Sequence, residues 1–147
     1  PFNPFEVLQT FTVTYNIDPF FFFFLERYEY TGGAHGSTVR IADTFNVQSG
    51  RKMKLSDFFT GFEYQNIIYN EILRQIEEQL KKDPGMYFDT YRTDVFKYFD
   101  PKNYYLTPKG LAVFYPLYTI APYVTGIATF IIPYEAFGKS LKYPLGT

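Results

Sequence analysis

Apolar and polar positions alternate through residues 5–17, with Val7, Gln9, Phe11, Val13 and Tyr15 on one side and Leu8, Thr10, Thr12 and Thr14 on the other. That two-residue period predicts a β-strand. Asn16-Ile17-Asp18-Pro19 carries turn chemistry, because proline fixes φ and aspartate bonds its own backbone. Phe20 to Thr31 reads as a second strand. Five consecutive phenylalanines put rings on both of its faces, so it is expected to be central and covered on both sides for part of its length. Three glycines in five residues then interrupt the pattern at Gly32-Gly33-Ala34-His35-Gly36, which asks for positive φ or a close backbone approach. A third strand is predicted over Ser37 to Val47, ending in the turn Gln48-Ser49-Gly50.

The period changes in the middle of the chain. Ile68, Ile72, Ile76 and Leu80 recur every fourth residue, with Tyr69 and Leu73 widening the stripe, and this predicts an amphipathic helix over about 62–82. Lys81 and Lys82 suit the negative end of its dipole, and Asp83-Pro84-Gly85 stops it. Ser56 to Phe59 predicts a short capped turn ending at Gly61, and Thr93 to Phe99 a short helix. Asn103 to Leu106 and Leu111 to Tyr115 form two strands around Thr107-Pro108-Lys109-Gly110, a hairpin turn. Tyr118 to Gly126 is a loop holding Pro122, Ile127 to Ile132 a last apolar strand, and Tyr134 to Leu141 a closing helix. The expected fold is α+β, an antiparallel twisted sheet with the long helix packed on one face.

Composition narrows the chemistry. The 147 residues suffice for one core, and no apolar run reaches the ~18–20 residues that span a bilayer. Net charge is −1, and the basic clusters, Arg51, Lys52, Lys54 and Lys81, Lys82, are too short for a phosphate-binding stripe, so no nucleic acid is expected. The absence of cysteine removes thiolate nucleophiles, thiolate metal sites and disulfides, and a single histidine, His35, removes an all-imidazole site. No metal and no cofactor are expected. Eighteen Phe and fifteen Tyr are the unusual numbers; packing accounts for most, while tyrosine also offers stacking surfaces for sugars and hot spots for a protein.

No catalytic residue is nominated. His35 has Ser37 nearby, with Glu29 or Asp43 within reach if the strands pair, but the segment lacks the nucleophile elbow. The glycines precede a strand and no lysine follows, unlike a phosphate loop. A glycosidase needs two acids roughly 5–9.5 Å apart, and no spacing pairs Glu29, Asp43, Asp94 or Asp100. Tyr104, Tyr105, Tyr115, Tyr118 and Tyr123 cluster around one hairpin and one loop. The candidate binding residues are therefore Gly32, Gly33, His35 and Gly36 on the bend, and Tyr118, Pro122 and Tyr123 on the loop.

In order, the chain runs Tyr28-Glu29-Tyr30-Thr31-Gly32-Gly33-Ala34-His35-Gly36, Phe45-Asn46-Val47, Lys54-Leu55-Ser56-Asp57-Phe58-Phe59, Asn103 to Leu111, Tyr118-Thr119-Ile120-Ala121-Pro122-Tyr123 and Ile131-Ile132-Pro133-Tyr134. This resembles the domain of unknown function at the C-terminal end of RsiV-type anti-sigma factors and PdaC-type peptidoglycan deacetylases. The resemblance covers roughly residues 25–137. It implies one compact unit, with residues 1–24 the tail of a preceding companion domain and 25–147 the C-terminal domain. It also implies a bacterial, extracytoplasmic location, secreted or behind a membrane anchor, and a lysozyme-like protein or a cell-wall glycan as partner. The expected function is a non-catalytic binding or sensing module, against two alternatives: a carbohydrate-active hydrolase using paired carboxylates such as Glu29 and Asp43, and a structural spacer.

Overall fold

The computed structural model describes residues 3–146; Pro1, Phe2 and Thr147, the outer ends of the two expected segments, lie outside the described residues. Among the described residues nine regular elements follow one another: β1 (Glu6–Ile17), β2 (Phe20–Tyr30), β3 (Ser37–Asn46), β4 (Arg51–Lys52), α1 (Glu63–Leu80), α2 (Tyr91–Lys97), β5 (Tyr104–Thr107), β6 (Gly110–Tyr115) and β7 (Ala128–Ile132). Three 3₁₀ turns, Leu55–Phe58, Tyr123–Thr125 and Tyr134–Ser140, join them, the last kinked at Gly138. The fold is α+β, as expected, but it divides its strands between two antiparallel sheets, β1-β2-β3-β4 and β5-β6-β7. Hairpin connections inside each sheet make both antiparallel.

In the first sheet, Phe20, Phe22 and Phe24 of β2 point inward to Phe58, Tyr104, Tyr105 and Tyr143. Because side chains alternate, Phe21 and Phe23 take the other face, where Phe23 stacks on Phe45. So β2 is central, as expected, while its second face is only half-buried. That outer face carries Val7 and Phe11 of β1 and Val39 and Ile41 of β3, all exposed. A bulge between Val13 and Tyr15 sets Tyr15 opposite Phe22 and turns it into the core, away from the face that strict alternation gave it.

Helix α1 realises the fourfold spacing. Ile68, Ile72 and Ile76 are fully buried with Tyr64, and burial of each isoleucine contributes about 1.5–3 kcal/mol. Replacing Ile72 by Ala would remove that contribution and open a cavity, at about 2–5 kcal/mol. The stripe packs against β7, α2 and the Tyr134–Ser140 turn. The helix begins after Gly61, whose φ of +66° suits glycine, and ends at Leu80, so Lys81 and Lys82 sit just beyond it. Helix α2 starts two residues earlier than the sequence pattern suggests.

One side chain fastens the first sheet to the second. Arg40 of β3 donates from Nε and Nη2 to Oε1 of Glu26 (2.9 and 2.6 Å) and from Nη1 to Oγ1 of Thr129 in β7 (2.9 Å). Its guanidinium lies over the rings of Phe24 (4.5 Å) and Phe114 (5.3 Å). This staple ties β2 and β3 of the first sheet to β7 of the second.

Candidate functional site

The bend begins where β2 ends. Gly32 and Gly33 have φ of +98° and +97°, conformations that cost a glycine little. The Tyr30 hydroxyl donates to the Gly33 carbonyl at 3.0 Å and closes the turn. Gly36 is needed for a different reason: a Cβ there would lie under 3.0 Å from the ring end of Tyr28. The tyrosine ring lies over the backbone at Gly36, and this places His35 on the outer surface.

The loop after β6 is anchored from inside. Ile120 and Ala121 are buried, the Ile120 carbonyl accepts from the Phe88 N–H (3.1 Å), and the Thr125 hydroxyl donates to the Met86 carbonyl (2.7 Å). Between these anchors Tyr118 takes a φ of +63°, unusual for a side chain of its size. Its turn is closed by the Thr119 hydroxyl, which donates to the Pro116 carbonyl at 2.7 Å. Pro122 introduces the short turn that carries Tyr123.

The structure brings the bend and the loop together. The rings of His35 and Tyr123 stack with centroids 3.7 Å apart and planes 18° apart, and the Tyr118 ring lies 5.7 Å from that of Tyr123. His35 Nδ1 is 2.9 Å from the Gly36 carbonyl, which can only accept, so Nδ1 carries the proton. In the neutral imidazole Nε2 is then an acceptor, and the Tyr118 hydroxyl donates to it at 3.0 Å. Of the seven residues nominated from sequence, His35, Tyr118 and Tyr123 meet directly. Gly32, Gly33, Gly36 and Pro122 shape the backbone that presents them.

Sequence reasoning missed the neighbours. Tyr123 forms one wall of a hollow of about 290 Å³ lined also by Glu26, Thr38, Arg40, Leu117 and Ile127. Val124, at the loop tip beside Tyr123, is 90% exposed. The strand register holds a signal for the first group: Glu26 and Arg40 face one another across β2 and β3, which follows once the bend is read as a β2–β3 connection. For Val124 the signal was an aliphatic residue between Tyr123 and Thr125 in a loop. By contrast, Tyr104, Tyr105 and Tyr115 of the same sequence cluster are buried in the core. Burial holds the hydroxyls of Tyr104 and Tyr115 well above the usual tyrosine range.

The carboxylates do not gather. Glu29 pairs with Arg27 and Asp43 with Lys52. Glu29 sits opposite Ser37 and Asp43 opposite Phe23, a separation of six residues along the strands and roughly 20 Å. Among the described residues no group of three or more His, Asp or Glu side chains is placed to hold a metal ion. No helix among them is long and apolar enough to cross a membrane.

Comparison with known proteins gives the chain its relatives. No curated protein matches it. Residues 1–38 match a family model described as deacetylase PdaC. Among solved structures, a DUF3298 family member from Bacteroides fragilis NCTC 9343 aligns with a TM-score of 0.70 and 23% identity over 95% of this chain and 55% of its own. A DUF3298 family protein from Pseudomonas aeruginosa PAO1 aligns with a TM-score of 0.68 and 23% identity over 94% of this chain and 62% of its own. The chain thus spans little more than half the length of these neighbours, which share its fold. Residues 56–135, more than half of the chain, match the model of the family described as protein of unknown function (DUF3298), and the chain belongs to that family.

Proposed function

We propose that this domain is a non-catalytic binding or sensing module working outside the cytoplasmic membrane, and that its ligand is a protein or a cell-wall glycan. The observation that carries the reading is the meeting of two separately anchored segments in one surface aromatic cluster, exposed His35 and Tyr118 with half-buried Tyr123, beside a hollow lined by Glu26, Thr38 and Arg40. Aromatic rings supply contact area at low entropic cost, and the carboxylate, hydroxyl and guanidinium supply the few directed polar groups that a recognition site needs. The extracytoplasmic assignment draws on the PdaC match over residues 1–38. A hydrolase reading draws no support from Glu29 and Asp43, which stand too far apart for either glycosidase geometry. A spacer reading leaves unexplained why a tyrosine with positive φ is held against a histidine on the surface.

The test is calorimetric titration of the whole chain with soluble peptidoglycan fragments and, separately, with lysozyme. Binding to one of the two is expected. Tyr123→Ala and His35→Ala should each weaken it about tenfold or more, the effect of losing ~1.4 kcal/mol or more at an aromatic hot spot. Absence of binding to both, or unchanged affinity in both variants, would overturn the proposal.

A further inference from the structure

A second place in the molecule has the form of a site, and it lies at the other end of β3. Strand β4 is only Arg51–Lys52, and its pairing with β3 ends at the bond from the Met53 N–H to the Thr44 carbonyl (2.9 Å). The bond from the Val47 N–H to the Pro19 carbonyl (2.8 Å) shows that odd-numbered β3 residues turn their backbone groups toward β2. The even-numbered residues Thr38, Arg40 and Ala42 therefore turn theirs away from β2, and among the described residues no strand pairs with that edge beyond Met53. An unpaired row of donors and acceptors is a template for another strand.

Alongside this edge runs a cavity of about 750 Å³. Its apolar lining includes Ala42, Met53, Leu55, Tyr64 and Tyr104, and Thr44 is buried among them. The volume lies in the ordinary range for a ligand site. The charges around it are unequally matched. Arg40 is paired with Glu26 and Lys52 with Asp43. Lys54 and Lys102, both exposed and both lining the cavity, have no ion-pair partner among the described residues. Asp100, which also lines the cavity, accepts from the Lys102 backbone N–H and has no ion-pair partner among the described residues, so the unpaired side chains there leave a net charge of +1.

We propose that this groove binds an extended, acidic peptide segment of another protein, which adds to the open edge of β3 as a further strand. Its backbone would pair with Arg40 and Ala42. Apolar side chains on its inner face would fill the cavity over Met53, Leu55 and Tyr104, and a carboxylate would meet Lys54 and Lys102. This is strand addition, in which main-chain bonds give affinity and pockets for alternate side chains give specificity. The site shares Arg40 with the hollow beside Tyr123 but none of the surface aromatic cluster, so the two proposals stand or fall separately.

The experiment probes the whole chain with an array of ten-residue peptides of random sequence, sorted by net charge. Peptides that combine Asp or Glu with alternating apolar residues should dominate the binders. Lys54→Glu with Lys102→Glu should weaken the best of them about tenfold or more, while His35→Ala and Tyr123→Ala leave it unchanged. Methylating alternate backbone nitrogens of that peptide should abolish binding, and the bound peptide should slow amide exchange at Arg40 and Ala42. An array without binders, binders without acidic preference, or a methylated peptide that binds as well as its parent would each overturn the proposal. So would an acidic sugar that competes for the groove without protecting the Ala42 amide.

Discussion

Replacing Arg40 by alanine is the change that best tests how the two sheets are held. The side chain is 13% exposed, makes three hydrogen bonds and lies over three rings, Tyr105 at 5.9 Å being the farthest. Charge-assisted hydrogen bonds contribute ~1.5–3 kcal/mol each, and a partly desolvated cation–π contact ~0.5–2 kcal/mol. These terms do not add, because two of the bonds share one acceptor and water enters when the stem is removed. Glu26, left behind, is 31% exposed and is partly resolvated, so the loss stays below the ~3–5 kcal/mol of a fully buried pair broken on one side. The expected cost is about 3 kcal/mol in urea unfolding, with a fall in Tm of roughly 6–12 °C for a chain of this size. Arg40→Lys keeps the charge and loses the fork, and about half of the cost should remain. Glu26→Gln combined with Arg40→Ala should show a coupling of about 1–2 kcal/mol. A cost below about 1 kcal/mol for Arg40→Ala, or strict additivity with Glu26→Gln, would refute the assignment of Arg40 as the fastening between the sheets.

Three further outcomes follow from the packing. Gly36→Ala places a methyl group against the ring end of Tyr28, which is half-buried and can swing aside, so urea unfolding should show a loss of about 1–3 kcal/mol that Tyr28→Ala in the same chain largely relieves. Gly110→Ala drives its methyl group into the carbonyl of Ile132, a backbone atom of the β6–β7 pair, so the loss should reach or exceed the top of that ~1–3 kcal/mol range, with no side-chain rescue. Alkaline titration followed by tyrosinate absorbance should resolve two classes, because burial pushes Tyr87 up to about 12 and holds Tyr104, Tyr115 and Tyr134 higher still. A folded-state pKa above the unfolded value of ~10 means that this stability is complete below pH 10 and lost as pH rises through the folded values. Unfolding free energy that stays flat from pH 9 to about 12 would contradict that burial.

What was legible in the sequence was local. The fourfold isoleucine spacing located α1 because a helix buries one stripe of its own length. Three close-set glycines marked the bend because only its backbone conformation and the ring of Tyr28 had to be accommodated. The division into two sheets was not legible, since alternation shows that a strand has two faces and leaves its partners undetermined. The same limit explains the five-phenylalanine run: a central strand was inferred correctly, but the second face is half-buried around Phe23 and Phe45, with no covering layer among the described residues. The bulge before Tyr15 reversed one assignment, because an inserted residue changes the parity of everything beyond it. At the candidate surface, the bend and the loop were each nominated from their own residues. That His35 reaches Tyr118 across 83 positions depended on tertiary packing.

That packing bears on how the surface would perform. A non-glycine residue in the left-handed region costs on the order of 1–3 kcal/mol and persists only where its surroundings over-determine it. Tyr118 is constrained from the interior by the turn at Pro116 and the buried pair Ile120 and Ala121, and from the exterior by its bond to His35. His35 is in turn held by the Gly36 carbonyl and by the stacked ring of Tyr123. On the proposed binding role, each ring, exposed at His35 and Tyr118 and half-buried at Tyr123, has its orientation set before a ligand arrives. Ordering rotamer-rich side chains on association costs about 0.5–1.5 kcal/mol apiece, and here much of that cost is already met in folding. A surface aromatic cluster with no role in recognition would gain little from such restraint, since a freely rotating tyrosine on a loop is as stable and carries no backbone strain.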